Sequence, residues 1–500
     1  MIKTLIYNFP PVDKSRPSLS GAIIANVCAG QGHQCKIIDL QFELDQFLQQ
    51  QNLDPGYFDD VFYEHSPSFT SAQLQLLNQF IDQHLKLTHV DKFDYVFVSL
   101  FSYLAQKFGE IFLPQLRTYS SAKIVVGGAG LVYVRSHKGQ LAFAEEFKAS
   151  GIIDEFITGE AEESIPMYLD HGQGAGIGNG SFKQIDNLDT QPWPDYTYYN
   201  LDNYSSDNQQ ELVIVGSRGC VRSCTFCDVA KSSPKYRFRS GQSIADEIIH
   251  HYETHGVTRY YFADSLVNGS FRAFNDMCNS LAAYQFDQPI SWSGQYIIRS
   301  KETTPKDHFE MLKKSGCDNL FIGLESGSDR VRRELGKPFT NDDTEYYLEN
   351  FNANDVKVLF LMFTGYVSET PQDHVETLGM FSRWQKFVAT GTIQGIETLN
   401  ILGILPGTKL AEMAVENKWL FVTDEYGAVN LRSWVDPHNP NYDFLTRVSR
   451  HIDLMEEAMK YKWPLWNGAL AMRLYEQAVN RFVNSPKKYM PLSTIPISPY

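Results

Sequence analysis

Two series of short apolar strands, each followed by a helix, most constrain the fold of this 500-residue chain. The first series runs to about residue 187, and its strands include 3–8, 34–40, 95–100, 123–126 and 154–158. Several are continuous apolar runs such as YVFVSL at 95–100, which are typical of parallel strands buried on both faces. The sequence therefore predicts a doubly wound, Rossmann-like α/β domain over residues 1–187.

The second series occupies residues 209–410. Its six strand candidates are 212–216, 260–263, 290–294, 319–323, 357–363 and 396–402, with helical patterns between them. Six strand–helix units at this spacing predict a partial (β/α)6 barrel of parallel strands. The Pro- and aromatic-rich segment 188–208 should be an extended linker that packs on a domain surface, and residues 411–500 should form a mainly helical C-terminal region.

Composition excludes several classes of function. The net charge of −15 argues against general nucleic-acid binding, which needs a basic surface. No stretch approaches 18 uninterrupted apolar residues, so no membrane span is expected. The N-terminal apolar run is too short for a signal peptide, and seven cysteines are too few for a disulfide framework. The expected location is the cytoplasm.

Three of the seven cysteines fall within eight residues, in the segment GSRGCVRSCTFCD at 216–228. The spacing of Cys220, Cys224 and Cys227 lets one loop present three thiolates to a cubane iron–sulfur cluster. The absence of a fourth nearby cysteine leaves one iron open to a small molecule. Structural zinc would need a fourth ligand, and a redox pair of Cys224 and Cys227 would leave Cys220 unexplained.

The other four cysteines are interpreted as ordinary buried thiols: Cys28, Cys35, Cys278 and Cys317.

This segment resembles the radical S-adenosylmethionine (radical SAM) superfamily in its cysteine spacing, its Ser-Arg-Gly lead and Phe226 before the last cysteine. The resemblance implies a 4Fe–4S cluster held by the three cysteines, with SAM on the open iron. One electron would cleave SAM to methionine and a 5′-deoxyadenosyl radical, so an external low-potential donor such as flavodoxin or ferredoxin is expected.

The resemblance extends to turns at the ends of later strands, where a parallel barrel places its chemistry. These turns include YYFADS at 260–265, SWSGQYIIR at 291–299, FIGLESGS at 321–328, FTGYVSET at 363–370 and ILPGT at 404–408. The implied SAM-binding residues are Phe226, Asp264, Gln295, Arg299, Glu325, Ser326, Gly365 and Pro406. For Asp264 a helix N-cap is the alternative role.

The first domain resembles the cobalamin-binding domain that precedes the barrel in one radical SAM subgroup. The likeness rests on VSL at 98–100, VVGG at 125–128, ITGEAE at 157–162 and the linker LDTQPWPD at 188–195. It implies Ser99, Gly127, Gly128, Gly159 and Glu160 as cobalamin-binding residues. The Asp-x-His-x-x-Gly signature of many corrinoid proteins is absent, so either the cobalt has no protein imidazole beneath it or the domain has lost the corrin.

Three hypotheses follow. We favour a cobalamin-dependent radical SAM enzyme that catalyses methyl transfer to an unactivated centre, or a rearrangement or oxidation. The alternatives are a radical SAM enzyme whose first domain is a structural or substrate-docking cap, and a non-catalytic iron–sulfur protein. The sequence identifies no catalytic residue beyond the cofactor ligands, and it does not distinguish a small-molecule from a peptide substrate.

Overall fold

The computed structural model describes residues 1–62, 69–131, 141–172, 183–204, 209–229, 233–397, 401–423, 429–484 and 488–491. The chain divides into two compact units, residues 1–213 and 214–499.

A five-stranded parallel sheet forms the centre of the first unit, with the strand order β2-β1-β3-β4-β5. The strands are β1 (Lys3–Asn8), β2 (Gln34–Asp39), β3 (Tyr95–Ser99), β4 (Lys123–Gly127) and β5 (Glu155–Ile157). The helices are Leu19–Gly30, Leu40–Gln50, Asp59–Phe62, Ser71–Thr88, Ala105–Tyr119, Ala142–Ala149 and Ala161–His171.

Alternating side chains of the central strands bury both faces of this sheet. Leu5 and Tyr7 of β1 belong to one hydrophobic core, whereas Ile6 belongs to the core on the opposite face. This two-sided burial explains the continuous apolar runs in the sequence. The predicted doubly wound domain is confirmed.

The aromatic segment after the last helix of this unit packs on the sheet, as predicted. The Tyr199 hydroxyl donates to the Ser18 carbonyl at 2.9 Å, and the Tyr204 hydroxyl donates to the Asp39 carboxylate at 2.6 Å. A Cβ atom at Gly21 would lie 2.2 Å from the Tyr199 hydroxyl oxygen, so the absence of a side chain at Gly21 leaves room for Tyr199.

A seven-stranded sheet organises the second unit in the order β16-β13-β12-β11-β10-β9-β6. Its strands are β6 (Glu211–Ile214), β9 (Arg259–Phe262), β10 (Ser291–Tyr296), β11 (Cys317–Glu325), β12 (Lys357–Met362), β13 (Ile393–Glu397) and β16 (Leu465–Trp466). A two-stranded ribbon, β7 (Ser217–Arg218) with β8 (Arg237–Phe238), comes between β6 and β9 in the chain. The predicted partial barrel is confirmed, with β16 as an added seventh strand.

The helices of the barrel follow its strands. They are Gly241–His255, Phe271–Ala283, Asp307–Lys314, Asp329–Leu335, Asn341–Ala353, Pro371–Arg383, Gln385–Ala389 and Lys409–Glu416.

The C-terminal region, expected to be mainly helical, has the helices Phe444–Lys460 and Gly468–Asn484 and a small sheet that the sequence did not predict. Strands β14 (Leu420–Thr423), β15 (Val429–Val435) and β17 (Lys488–Pro491) pair antiparallel in the order β15-β14-β17. Strands β14 and β17 have only four residues each, which is too few to give a clear period, and they pair across more than 60 residues of sequence. None of the described helices is both long and apolar enough to cross a bilayer.

A buried arginine joins this sheet to the helix Phe444–Lys460. The Arg447 guanidinium stacks 3.8 Å from the ring centre of Trp434, and it donates to the carbonyls of Trp434 and Tyr442 at 2.8 Å. Three backbone carbonyls, including that of Arg432, take the place of a carboxylate partner. The charge is thus dispersed over oriented dipoles and an aromatic face.

Replacement of Gly128 by alanine should destabilise the first unit more than the same change at Gly151. Both glycines have positive φ, but a Cβ at Gly128 would lie 2.4 Å from the Leu100 carbonyl oxygen, whereas Gly151 has no neighbour within 4 Å. Gly151→Ala should cost about 1–2 kcal/mol of backbone strain, and Gly128→Ala should cost at least about twice that because backbone must move. Thermal unfolding midpoints of the two variants, measured side by side, test this; equal midpoints would contradict it.

Candidate active site

The three clustered cysteines lie in the loop that follows β6 and β7, and hydrogen bonds from two other elements hold that loop. The Thr225 N–H donates to the Leu335 carbonyl at 3.1 Å, and the Thr225 carbonyl accepts from the Leu410 N–H at 2.9 Å. A tight turn places the Cys227 N–H 3.2 Å from the Cys224 carbonyl. The backbone between the second and third cysteines is therefore fixed by neighbours on two sides.

All three thiols are partly buried, and burial raises the pKa of each, that of Cys224 to about 11. The positive charge of Lys337 lowers the pKa of all three against this trend. The Arg222 N–H donates to the Cys220 sulfur at 3.3 Å. Partial burial, a nearby cation and an N–H donor to sulfur are compatible with a thiolate-bound cluster, whose potential such surroundings set.

A single metal ion needs its ligands in one coordination sphere. Among the described residues, no three His, Cys, Asp or Glu side chains converge closely enough for that. Because three thiolates of a cubane bind three different irons, a cluster site does not require such convergence.

Beside the cysteines lies an ion pair between Glu325 and Lys337. The Lys337 ammonium is 2.7 Å from the Glu325 carboxylate and donates to the Gly323 carbonyl at 2.8 Å. It also lies 6.0 Å from the centre of the Phe226 ring. Sequence reasoning assigns no role to Lys337, and only its place shortly after the ESGS turn could have marked it.

Asp264, which is expected to contact SAM, makes hydrogen bonds within the protein, and its contact with SAM stays a prediction. Its carboxylate accepts from the Gly216 N–H at 2.9 Å and from the Ser217 hydroxyl at 2.5 Å, and it is almost fully buried. Burial raises its pKa to about 7. The alternative N-cap role is wrong, because Ser270 caps the helix that follows. Asp264 instead fixes the strand end that leads into the cysteine loop.

Three further residues expected to bind SAM, Gly365, Arg299 and Ser326, also make contacts within the protein. A Cβ at Gly365, whose φ is +90°, would lie 2.5 Å from Cδ of Arg447. The Arg299 guanidinium donates to the Asn268 and Gly269 carbonyls at 2.7 and 2.9 Å.

Ser326, also expected to bind SAM, is buried with its hydroxyl 3.0 Å from that of Thr377. Ser326, Arg299 and Gly365 therefore have roles within the protein, and their contacts with SAM stay predictions.

The remaining expected residues differ in their surroundings. Phe226 packs edge-on against Phe363, with 5.0 Å between ring centres, and so anchors the cysteine loop. Gln295 lies half-exposed on β10, opposite Phe321 of β11, and its amide makes no hydrogen bond within the described part of the chain. Pro406 lies in the turn before the helix Lys409–Glu416. SAM contacts from these residues stay predictions.

In the first unit, the residues expected to bind cobalamin gather at the carboxyl edge of the sheet. Ser99 is directly opposite Gly127, and the Ser99 hydroxyl lies 2.9 Å from that of Ser20. A Cβ at Gly127 would meet only ordinary contacts, whereas Gly128 is required by the close approach of the Leu100 carbonyl. Phe101, which follows at the same edge, is 74% exposed.

Gly159 and Glu160 lie just beyond β5 and contact the segment after the last helix of the unit. A Cβ at Gly159 would lie 2.4 Å from the Lys183 carbonyl oxygen. The Glu160 carboxylate accepts from the Ile185 N–H at 2.7 Å. Both residues therefore have roles within the protein, and their contact with cobalamin stays a prediction.

A partial parallel barrel with three cysteines in the loop after its first strand defines the class of the second unit. Residues 214–381 match the family model of the Radical SAM superfamily. This part of the chain is a radical SAM domain, which implies a 4Fe–4S cluster and SAM as cofactors.

Curated relatives match part of the chain. An uncharacterized methyltransferase of Pyrococcus horikoshii is 26% identical over 47% of this chain and 49% of its own length. A cytidylyl-2-hydroxyethylphosphonate methyltransferase of Streptomyces wedmorensis is 27% identical over 32% of each chain. The chain spans about half or less of the length of these relatives.

Solved structures match most of the chain. The radical SAM methyltransferase TsrM of Kitasatospora setae, with cobalamin and a 4Fe–4S cluster bound, has a TM-score of 0.60 at 14% identity and covers 91% of this chain and 89% of its own. The cobalamin-dependent radical SAM enzyme OxsB has a TM-score of 0.57 at 17% identity, over 83% of this chain and 60% of its own. At these identities the likeness establishes the fold.

Asp264→Asn should flatten the pH dependence of stability. A carboxyl group with a raised pKa stays protonated in the folded protein and ionises on unfolding, so raising the pH from about 4 towards 7 favours unfolding by up to about 1.4 kcal/mol per pH unit. The amide of the variant does not titrate. Unfolding midpoints of anaerobically purified wild type and variant between pH 5 and 8 should therefore converge as the pH rises; parallel pH curves would contradict the raised pKa.

Proposed function

We propose that this protein is a radical SAM enzyme that cleaves S-adenosylmethionine reductively at a 4Fe–4S cluster bound by Cys220, Cys224 and Cys227. The observation that carries the proposal is the single anchored loop that presents three partly buried thiols in a radical SAM barrel. When bound and reduced, the cluster supplies one electron that breaks a sulfonium C–S bond and so yields methionine and a 5′-deoxyadenosyl radical.

The residues of the chain hold and shield that site. Phe226 and the bonds of Thr225 fix the loop, and Asp264 fixes the strand end before it. Gln295, whose amide is uncommitted within the described residues, and Glu325 supply polar groups for SAM on neighbouring strands. The electron comes from an external low-potential donor such as flavodoxin or ferredoxin.

We further propose that the first unit binds cobalamin at the carboxyl edge of its sheet. A doubly wound sheet binds ligands at this edge. Here a side chain at Gly127 would meet only ordinary contacts, and the ring of Phe101, two residues beyond the end of β3, is exposed, which suits a large and largely apolar ring system. The likeness in fold to TsrM and OxsB, both solved with cobalamin bound, supports the proposal.

Methyl transfer to an unactivated carbon or phosphorus is the reaction we propose. Two curated relatives and one structural neighbour are named methyltransferases. In this reaction one SAM would supply the methyl group to cobalt and another would supply the radical that removes a hydrogen atom from the substrate. We place the reaction in the cytoplasm.

Cys224→Ala should abolish formation of 5′-deoxyadenosine from SAM and dithionite, because a cubane with one thiolate missing is not retained. Iron and sulfide analysis and chromatographic detection of 5′-deoxyadenosine, both under anaerobic conditions, measure this. Cys35→Ala is the matched control, since Cys35 is partly exposed and lies in the other unit. Undiminished product from Cys224→Ala, or no iron in the reconstituted wild type, would refute the proposal.

Gly127→Leu should prevent cobalamin binding and leave the cluster intact. The new side chain would fill the space at the carboxyl end of β4, and an overlap costing about 3 kcal/mol would weaken binding by about two orders of magnitude. Lys123→Leu places the same side chain at the amino end of β4 and is the control. Cobalt content and visible absorbance after reconstitution with hydroxocobalamin measure binding. Iron without cobalt in the wild type would favour a structural or docking role for the first unit.

A further inference from the structure

We infer that Lys337 is a positioning residue that raises the reduction potential of the cluster, and that Glu325 both holds it and moderates its effect. The inference rests on the proposed function, since it concerns a cluster on Cys220, Cys224 and Cys227. The ion pair beside the cysteine loop would thus set the reduction potential of the cluster, that is, how easily the cluster takes up an electron.

The segment that carries Lys337 packs against the cysteine loop. Gly336, directly before Lys337, packs so closely that a Cβ there would lie 3.4 Å from Cα of Cys224. The ammonium itself lies 6.0 Å from the ring centre of Phe226, the neighbour of Cys227. Its side chain is only 14% exposed, so solvent screens its charge weakly.

The backbone around Lys337 is held rigidly. The helix Asp329–Leu335 ends at Gly336 in the left-handed conformation, and the Lys337 N–H donates to the Arg332 carbonyl at 2.8 Å. The Leu335 carbonyl accepts from the Thr225 N–H, which joins this helix end to the cysteine loop. The lysine and the cysteines are thus parts of one hydrogen-bonded arrangement, and the distance between them is set by the fold.

A cation fixed near a cluster favours the reduced state, because reduction adds one negative charge. Glu325 opposes this effect with a negative charge 2.7 Å from the ammonium, and its carboxylate is itself only 10% exposed. Arg222 is a second nearby cation, but it lies within the cysteine loop, and its side chain bonds only to the Ile298 carbonyl among the described contacts, at 3.5 Å. Lys337, by contrast, is held by the Glu325 carboxylate and the Gly323 carbonyl.

The test is the midpoint potential of the cluster, measured without SAM by dithionite titration monitored by electron paramagnetic resonance. Lys337→Gln should lower the equilibrium constant for one-electron reduction by on the order of tenfold, a shift of about 59 mV to lower potential. Glu325→Gln removes the opposing charge and should shift the potential upward. The double variant should return towards the wild-type value, and Lys337→Arg should stay close to it.

Lys357→Gln is the matched control. Lys357 forms a similar pair, 3.1 Å from Asp318, but at the amino end of β12, the opposite end of the same strands. Its loss changes the net charge by the same amount and should leave the potential unchanged.

The outcomes separate the two proposals. A wild-type protein that binds no iron refutes the proposed function. A cluster that forms, with the same potential in the wild type and Lys337→Gln, refutes the inference alone, as does an equal shift in Lys357→Gln or a downward shift in Glu325→Gln. If Lys337→Gln does not retain a cluster, the other two variants still test the inference. It predicts a higher midpoint potential in Glu325→Gln and an unchanged midpoint potential in Lys337→Arg.

Discussion

The attachment of the cysteine loop to the elements around it is the constraint on which the rest of the site depends. Three sulfurs separated by three and two residues can bind one cluster only if the backbone between them is held in a single conformation. Here the hydrogen bonds of Thr225 to Leu335 and Leu410 and the packing of Phe226 on Phe363 do this. Asp264 does the same for the strand end before the loop. Helix ends far away in sequence therefore determine the geometry of a short local motif.

The sequence predicted the fold class well because the five-stranded and the seven-stranded sheets are parallel and buried. Buried parallel strands leave continuous apolar runs, and the helices between them leave a different period, so residues such as 95–100 and 357–363 could be recognised singly. The antiparallel sheet of β14, β15 and β17 left no such pattern. Its strands are short, and β17 pairs with a strand more than 60 residues earlier in the chain.

Site residues were predictable where chemistry is local and unpredictable where a contact is distant. The three cysteines could be recognised as a candidate cluster site from their spacing alone. Gly365 and Arg299 occupy positions that the family pattern marks, yet Gly365 accommodates Arg447, and Arg299 binds the carbonyls of a loop on a neighbouring strand. Neither partner is adjacent in sequence. A motif position thus identifies a turn, whereas the contacts that its side chain makes within the protein depend on residues distant in sequence.

The backbone conformation of Glu325 distinguishes the turn after β11 from an ordinary strand end. Its φ of +64° is unusual for a residue with a side chain and costs about 1–2 kcal/mol. Such a conformation persists only where surrounding contacts favour it, and it concentrates at functional sites. Here the ion pair with Lys337 and the bond from Lys337 to the Gly323 carbonyl hold the carboxylate in place after β11 ends. The left-handed turn ends the strand and directs the chain into the buried Ser326 and the helix Asp329–Leu335, whose far end returns to the cysteine loop. One strained residue therefore joins the strand, the ion pair and the loop. For this reason a substitution at Glu325 should affect the surroundings of the cysteines.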